Sequence, residues 1–284
     1  MPRHASTVVV VREGAQGLEL FCVLRNTRSS FLGGALVFPG GKVDPSDAAE
    51  AWAEQATTPQ ARVDALTEPY ATAAPPVTAR ALAVAACREL LEEARIVPLD
   101  APFGDDAVEA LRAELAASPG SLPSALARVG RRLALDTLVP WARWITPEAE
   151  SRRFDARFFL LGLPDGQRGR HDDHETTMSF WSRPADVLDR FARGEIFLAP
   201  PTTRTLEQLA TVADLRAARA LAEEQSLSPI CPQFVAAGAP FLALPGDPAH
   251  AVPERRVSGP TRFVLRDGRF VSEDPPAGGV AEFT

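Results

Sequence analysis

The sequence predicts a layered α/β (α+β) domain in which short strands alternate with helices of uneven length. Thr7–Val11 and Leu18–Leu24 are apolar, β-branched runs flanking a Glu13–Gly17 turn, the pattern of a β-hairpin. A helical stretch runs from about Thr78 to Ala94, with Thr78 placed to cap it and Pro98 just beyond its end. The later chain keeps alternating, with strands expected at Phe154–Leu163 and Met178–Trp181 and helices at Pro184–Arg193 and Thr203–Glu224.

Between these anchors the chain reads as follows. Gly33-Gly34 breaks the chain, Ala35–Phe38 forms a short strand, and Pro39-Gly40-Gly41 ends it. Residues 48–77 are Ala-rich and polar, with helical pieces at Ala48–Gln55 and Gln60–Leu66 and a stop at Pro75-Pro76. They read as an insertion rather than a core element. Two helices fill 105–135, broken at Ser118-Pro119-Gly120. Trp141, Trp144, Phe154, Phe158 and Phe159 read as core rather than as a stacking platform. From Ser226 the chain turns loop-like until a terminal hairpin, Thr261–Leu265 and Arg269–Val271, around Asp267-Gly268. The expected organisation is one domain over 1–284, with a first insertion at about 48–77, a helical insertion at about 98–139 and a C-terminal extension at about 226–284.

Composition narrows the function. The 30 basic and 37 acidic residues leave a net charge of −7, which disfavours a nucleic-acid partner. The longest apolar runs, such as Ala81–Cys87, fall far short of the roughly 20 residues of a membrane helix. The N-terminal run Val8–Val11 is too short for a secretory signal. Three widely spaced cysteines, Cys22, Cys87 and Cys231, make neither a disulfide framework nor a zinc site and suit a reducing cytoplasm.

Chemistry concentrates in Arg88-Glu89-Leu90-Leu91-Glu92-Glu93. Setting Glu89 at zero on a helical wheel puts Glu92 at about 300° and Glu93 at about 40°, so the three carboxylates share one face. Val84, Cys87, Leu90, Leu91 and Ala94 take the opposite side as a core face. Carboxylates crowded at a helix C-terminus repel each other and the dipole. A hard divalent cation, Mg²⁺ or Mn²⁺, turns that repulsion into ligation. The alternative is a solvated helix end with Arg88 and Arg95 as local partners. Upstream, Phe38-Pro39-Gly40-Gly41-Lys42-Val43-Asp44 lets the backbone approach a ligand closely, and a free carbonyl there can ligate metal.

Together the two pieces resemble the Nudix hydrolase superfamily. Its box runs Gly, five residues, Glu, seven residues, Arg-Glu, an aliphatic, any residue, Glu-Glu, any residue, Gly and an aliphatic. Gly41 fills the first position, Asp47 the first acidic one, and Arg88–Ile96 the second half. The spacer has grown to residues 48–87, and Arg95 stands where the pattern has its last glycine, which predicts a different helix exit. A long insertion at this place, with Trp144-Ile145-Thr146-Pro147, Arg153–Phe159 and Pro200-Pro201-Thr202, is similar to the branch that includes the peroxisomal coenzyme A diphosphatase of animals and its bacterial relatives.

The resemblance implies a Nudix α/β/α sandwich with a mixed sheet and helical insertions, and cleavage of a nucleoside-diphosphate-linked small molecule with Mg²⁺ or Mn²⁺. Coenzyme A or an acyl-coenzyme A leads as substrate, with ADP-ribose or NADH next. By the same resemblance Glu89, Glu92 and Glu93 are metal ligands, joined by the carbonyl of Gly40 or Gly41. Glu89 or Glu175 is the water-activating base, Arg88 holds the acidic cluster, and Asp47 is a weaker ligand candidate. Arg25 and Arg28 meet substrate phosphates or sit on a solvated edge. The loop His171-Asp172-Asp173-His174-Glu175 reads as solvated or substrate-facing, with a transition-metal site as the alternative. The helices of 48–77 and 105–135 either cover the cleft or build a homodimer interface.

Overall fold

The structure is a computed structural model that describes residues 1–25, 34–70, 75–171, 176–236 and 238–276. Its main sheet contains β1 (Arg3–Gly14), β2 (Gly17–Arg25), β3 (Ala35–Val37), β4 (Gly40–Lys42), β5 (Val139–Ile145), β6 (Phe154–Gly162), β7 (Thr176–Ser182) and β8 (Phe197–Leu198). The helices are α1 (Trp52–Gln55), α2 (Ala79–Ala94), α3 (Asp105–Ala117), α4 (Leu122–Arg128), α5 (Pro184–Ala192), α6 (Pro200–Leu209) and α7 (Leu215–Glu224). The sheet is mixed: β1 runs parallel to β6 and antiparallel to β2, while β3 runs parallel to β8.

Val8–Val11 is an unbroken apolar run because β1 lies between two layers. Val8 and Val10 pack with Phe21, Val23 and the core face of α2, while Val9 and Val11 face the layer of α5, α6 and α7. The expected α/β/α layering is therefore present.

The hairpin strands splay apart, and that opening positions the site. The distal half of β1 pairs with β2 from Val11↔Leu20 to Gly14↔Gly17, but its proximal half pairs with β4 from Ala5↔Lys42 to Thr7↔Gly40. The other end of β2 pairs with β3 at Val23↔Val37. The chain thus crosses the wedge from β2 to β1 through Phe38-Pro39, and the Pro39 carbonyl accepts the Val8 N–H at 2.9 Å. Gly40 and Gly41 arrive beside α2 as a result.

Four expectations need correction. The 48–77 insertion is not peripheral: its short 3₁₀ turns and α1 bury Trp52, Val63 and Leu66 in the core on the α2 side. It is also tied to the sheet by buried arginines. Arg157 donates to the Leu66 carbonyl at 3.1 Å and Arg143 to the Glu68 carbonyl at 2.7 Å. Both guanidinium groups pair with buried Asp155. Second, Val139–Ile145, unassigned from sequence, is a fully buried strand, and α-helix in the 98–139 insertion ends at Arg128, with one 3₁₀ turn at Leu135–Thr137 before the strand. Third, Thr203–Glu224 is two helices, because Asp214 interrupts it and caps α7 by accepting the Ala217 N–H at 2.7 Å.

Fourth, the C-terminal extension is a sheet. β9 (Gln233–Val235), β10 (Phe241–Ala243), β11 (Arg262–Arg266) and β12 (Arg269–Glu273) pair antiparallel in the order β12-β11-β10-β9. The expected β11–β12 hairpin is there, turning at Asp267 (φ 48°) and Gly268 (φ 76°) as a two-residue loop with both residues left-handed. The sheet is fastened to α6: buried Arg204 donates to the Pro260 carbonyl and to Ser272, and Gln208 to Ser258 at 2.8 Å.

Candidate active site

A cavity of about 1140 Å³ opens where the β3–β4 crossing meets α2. The oxygen-bearing side of its wall includes Glu89 and Glu93 with Gly40 and Gly41, and Arg25 and Lys42 also line it.

α2 presents these carboxylates because both its ends are fixed. Thr78 caps it by accepting the Ala81 N–H at 3.1 Å, and Val84, Cys87, Leu90, Leu91 and Ala94 lock its other face into the core. At the far end Arg95 takes the left-handed conformation (φ 54°, ψ 40°) that a glycine would use. Its N–H returns to the Leu91 carbonyl at 3.2 Å. The predicted different exit is therefore not found: the helix leaves as the glycine pattern would, at a cost of about 1–2 kcal/mol for a residue with a Cβ.

Two glycines are required by contact. A Cβ on Gly40 would lie 2.4 Å from the Ser6 carbonyl oxygen, against the neighbouring strand. On Gly41 it would lie 2.5 Å from the Glu89 carboxylate. The loop thus gives Glu89 its space, and the Gly40 N–H donates to Glu93 Oε2 at 2.9 Å.

Behind this edge, Arg88 is the hub. It donates to Asp47 Oδ1 and Oδ2 at 2.8 and 2.9 Å, to Glu89 Oε1 at 2.9 Å, to Glu92 Oε2 at 3.0 Å and to the Lys42 carbonyl at 2.8 Å. Burial opposes its charge, but bonds to Asp47 and the surrounding carboxylates outweigh that and raise its pKa. Glu89 is pushed up to about 7, chiefly by burial, with the Arg88 charge opposing and Glu92 adding to the rise.

The three carboxylates of one helix face thus divide. Glu89 and Glu93 face the cavity, while Glu92 has a side chain 40% exposed, does not line the cavity, and pairs with Arg88. Asp47, the weaker ligand candidate, is 1% exposed; besides Arg88 it accepts the Asp44 N–H at 2.7 Å. Arg28 and Glu175 lie outside the described residues, as do Asp172, Asp173 and His174, so the alternative transition-metal loop is described only at His171, which bonds Ser179. No described residue of 48–77 or 105–135 is among those that line the cavity.

Of the aromatic residues read as core, Trp141, Trp144, Phe158 and Phe159 are buried in it; Trp144 and Phe158 also reach the cavity wall, as does half-buried Phe154. Lining residues missed from sequence include Glu150 and Arg152 before β6 and Phe234, Leu242 and Phe270 from the C-terminal sheet, none of which carried a readable signal.

The Glu89 and Glu93 carboxylate oxygens suit a hard divalent cation, in a space kept open by the missing Cβ of Gly41. Among the described residues, no three His, Cys, Asp or Glu side chains gather as a closed metal site. Of the three α2 carboxylates, Glu89 and Glu93 are at the cleft, whose lining also includes Glu150.

The model of the NUDT19 Nudix domain matches residues 3–209, well over half of the chain. The chain belongs to the Nudix family. It is 28% identical over 248 residues to the acyl-coenzyme A diphosphatase NUDT19 of Gallus gallus, covering 74% of this chain and 65% of that protein. It is 25% identical over 277 residues to the putative nudix hydrolase 7 of Caenorhabditis elegans, covering 96% and 83%. The chain thus spans slightly less than two thirds of the chicken relative's length. A NUDIX hydrolase from Alicyclobacillus acidocaldarius superposes with a TM-score of 0.64 at 30% identity, over 78% of this chain and 96% of that one. The sandwich, the crossing loop and the acidic helix are thus a Nudix fold with its box split by an insertion. No described helix is long and apolar enough to cross a membrane.

Proposed function

We propose that this Nudix protein hydrolyses the diphosphate of a nucleoside-diphosphate-linked small molecule. Coenzyme A or an acyl-coenzyme A is the substrate, and adenosine 3′,5′-bisphosphate and (acyl-)phosphopantetheine are the products. The observation that carries this is the meeting of Glu89 and Glu93 with Gly40 and Gly41 at the wall of one large cavity. The likeness to relatives named acyl-coenzyme A diphosphatase supports the substrate.

Glu89 and Glu93, with Glu92, Glu175 and a Gly40 or Gly41 carbonyl as further ligands, would hold Mg²⁺ or Mn²⁺, which when bound would neutralise charge on the diphosphate and acidify water. Glu89, raised to about 7, is matched to taking a proton near neutral pH, with Glu175 the other candidate base. Arg88 positions Glu89. Arg25, with Arg28 and Lys42, meets the phosphates. Water adds at one phosphorus, the bridging P–O bond breaks, and two phosphomonoesters leave. Three free cysteines, two of them buried, fit a reducing compartment such as the cytoplasm.

The test is product analysis with Mg²⁺ or Mn²⁺ on coenzyme A, acetyl-coenzyme A, ADP-ribose, NADH and diadenosine polyphosphates, with Glu93→Gln as control. Metal-dependent cleavage of coenzyme A species, lost in the variant, is the expected result. Preference for ADP-ribose or NADH would keep the chemistry and replace the substrate. A folded protein inactive on all of them would be a ligand-binding module.

A further inference from the structure

We propose that the C-terminal sheet β9–β12 is the specificity wall of the cleft, seating the apolar acyl tail of a tail-bearing substrate against Phe234, Leu242 and Phe270. The inference deepens the function proposed above and takes the substrate's diphosphate end from it. Three observations carry it.

The first is continuity. The cavity lined by Glu89 and Glu93 is also lined by these three residues, each from a different strand of a sheet that lies beyond the 3–209 Nudix match. Phe234 stands directly opposite Leu242 in the β9–β10 register, so the two side chains share one face. Trp144, Phe158 and Phe197 add apolar surface from the main sheet.

The second is chemistry. A diphosphate and a ribose have no use for such a wall, and the cavity, about 1140 Å³, exceeds the roughly 300–1,000 Å³ typical of drug-sized sites. Phe234 is 51% exposed, a large aromatic left to water until an apolar group covers it. The smooth, donor-poor set of Phe and Leu suits a flexible aliphatic chain.

The third is rigidity. Arg204 and Gln208 of α6 bond the extension to the domain, and Arg256 braces the extension internally by donating to the Pro229 carbonyl at 2.7 Å. The Ile230 carbonyl accepts the Ile145 N–H at 2.8 Å, joining the segment to the edge of β5. A wall held in this way is formed before the ligand arrives.

The test uses the full chain and Phe234→Asp, an exposed position where the charge leaves folding intact, with Phe270→Ala as a second variant. The ratio of kcat/KM for dodecanoyl-coenzyme A to that for coenzyme A is expected to fall at least tenfold, carried by KM. The same charge at Val129→Asp, on the exposed end of α4, leaves the ratio unchanged. Equal losses on both substrates, as for a wall that stacks the adenine, or an unchanged ratio would overturn the proposal. Binding of 11-(dansylamino)undecanoic acid, read by fluorescence, needs no turnover. If the wild type cleaves no coenzyme A species yet binds this probe, and Phe234→Asp weakens binding tenfold, the substrate reading fails and the wall stands. Absent or equal probe binding sinks the wall.

Discussion

Arg88 grips both carboxylate oxygens of Asp47, at 2.8 and 2.9 Å, across the whole lengthened spacer 48–87. The two residues belong to opposite halves of the Nudix box, so this buried pair rejoins a motif that the sequence has separated. It also explains why Asp47 does not reach the cleft: its oxygens are occupied by Arg88 and by the Asp44 N–H.

Removing one partner of a buried pair leaves the other uncompensated, so Asp47→Ala is expected to cost about 3 kcal/mol in a denaturant titration. Turnover by the fraction still folded should change little. A variant that lost activity while keeping its unfolding midpoint would make Asp47 a ligand instead.

Gly41→Ala should do the reverse. The added methyl would meet the Glu89 carboxylate, the movable end of a side chain, so the fold survives with a loss of about 1 kcal/mol. Displacing Glu89 is expected to lower kcat at least 100-fold, in line with roughly 10²–10⁴ for a positioned base. Wild-type turnover would refute the close packing of Gly41 on Glu89.

Arg95 holds a left-handed turn that suits glycine. Arg95→Gly gives up the pair with Glu109, in which the Arg95 side chain is largely buried, and relieves about 1–2 kcal/mol of backbone strain, so the urea unfolding midpoint should change little. Arg95→Val, β-branched at positive φ, should lose about 2 kcal/mol relative to Arg95→Gly. Equal midpoints for the two variants would contradict the conformation.

Asp247 ties β11 to the loop after β10. Burial pushes its carboxyl up, but the Arg262 guanidinium, the Ala249 N–H and the Thr261 hydroxyl outweigh it and hold the group below the usual carboxylate range. A depressed folded-state pKa contributes stability that is fully present above the unfolded value, about 3.9, and is lost as pH falls through the folded one. The stability gap between wild type and Asp247→Asn is therefore expected to be flat above about pH 5 and to close in stronger acid. A gap that widened on acidification would reverse the sign of the shift.

Much of this was legible in advance, for identifiable reasons. The hairpin, α2 and its cap follow from periodicity and from Thr78, and the glycines and acidic helix were readable because they keep the residue types of the box motif, although the contacts that hold them are long-range. Less readable features depend on tertiary partners. β9 and β10 are three residues long, too short for a pattern, and exist because Phe241 and Leu242 pair with strand β11, some twenty residues on. Val139–Ile145 is buried on both sides and shows no alternation. The division of Glu92 from Glu89 and Glu93 depends on Arg88 and the β4 loop, which a helical wheel does not contain.

The buried side chains of the insertion carry a thermodynamic consequence. Lengthening the spacer from about 7 to about 40 residues adds about 1.5 kcal/mol of loop-closure entropy to the meeting of Asp47 with Arg88. Trp52, Val63 and Leu66, each worth about 1.5–3 kcal/mol on burial, more than offset it. Inserted chain can therefore vary in length at this point of a Nudix box without opening the site, provided that it brings its own apolar anchors. A polar insertion of the same length would leave the two halves of the motif held by the ion pair, the Gly40–Glu93 and Arg88–Lys42 hydrogen bonds and the packing of α2, without that added anchorage.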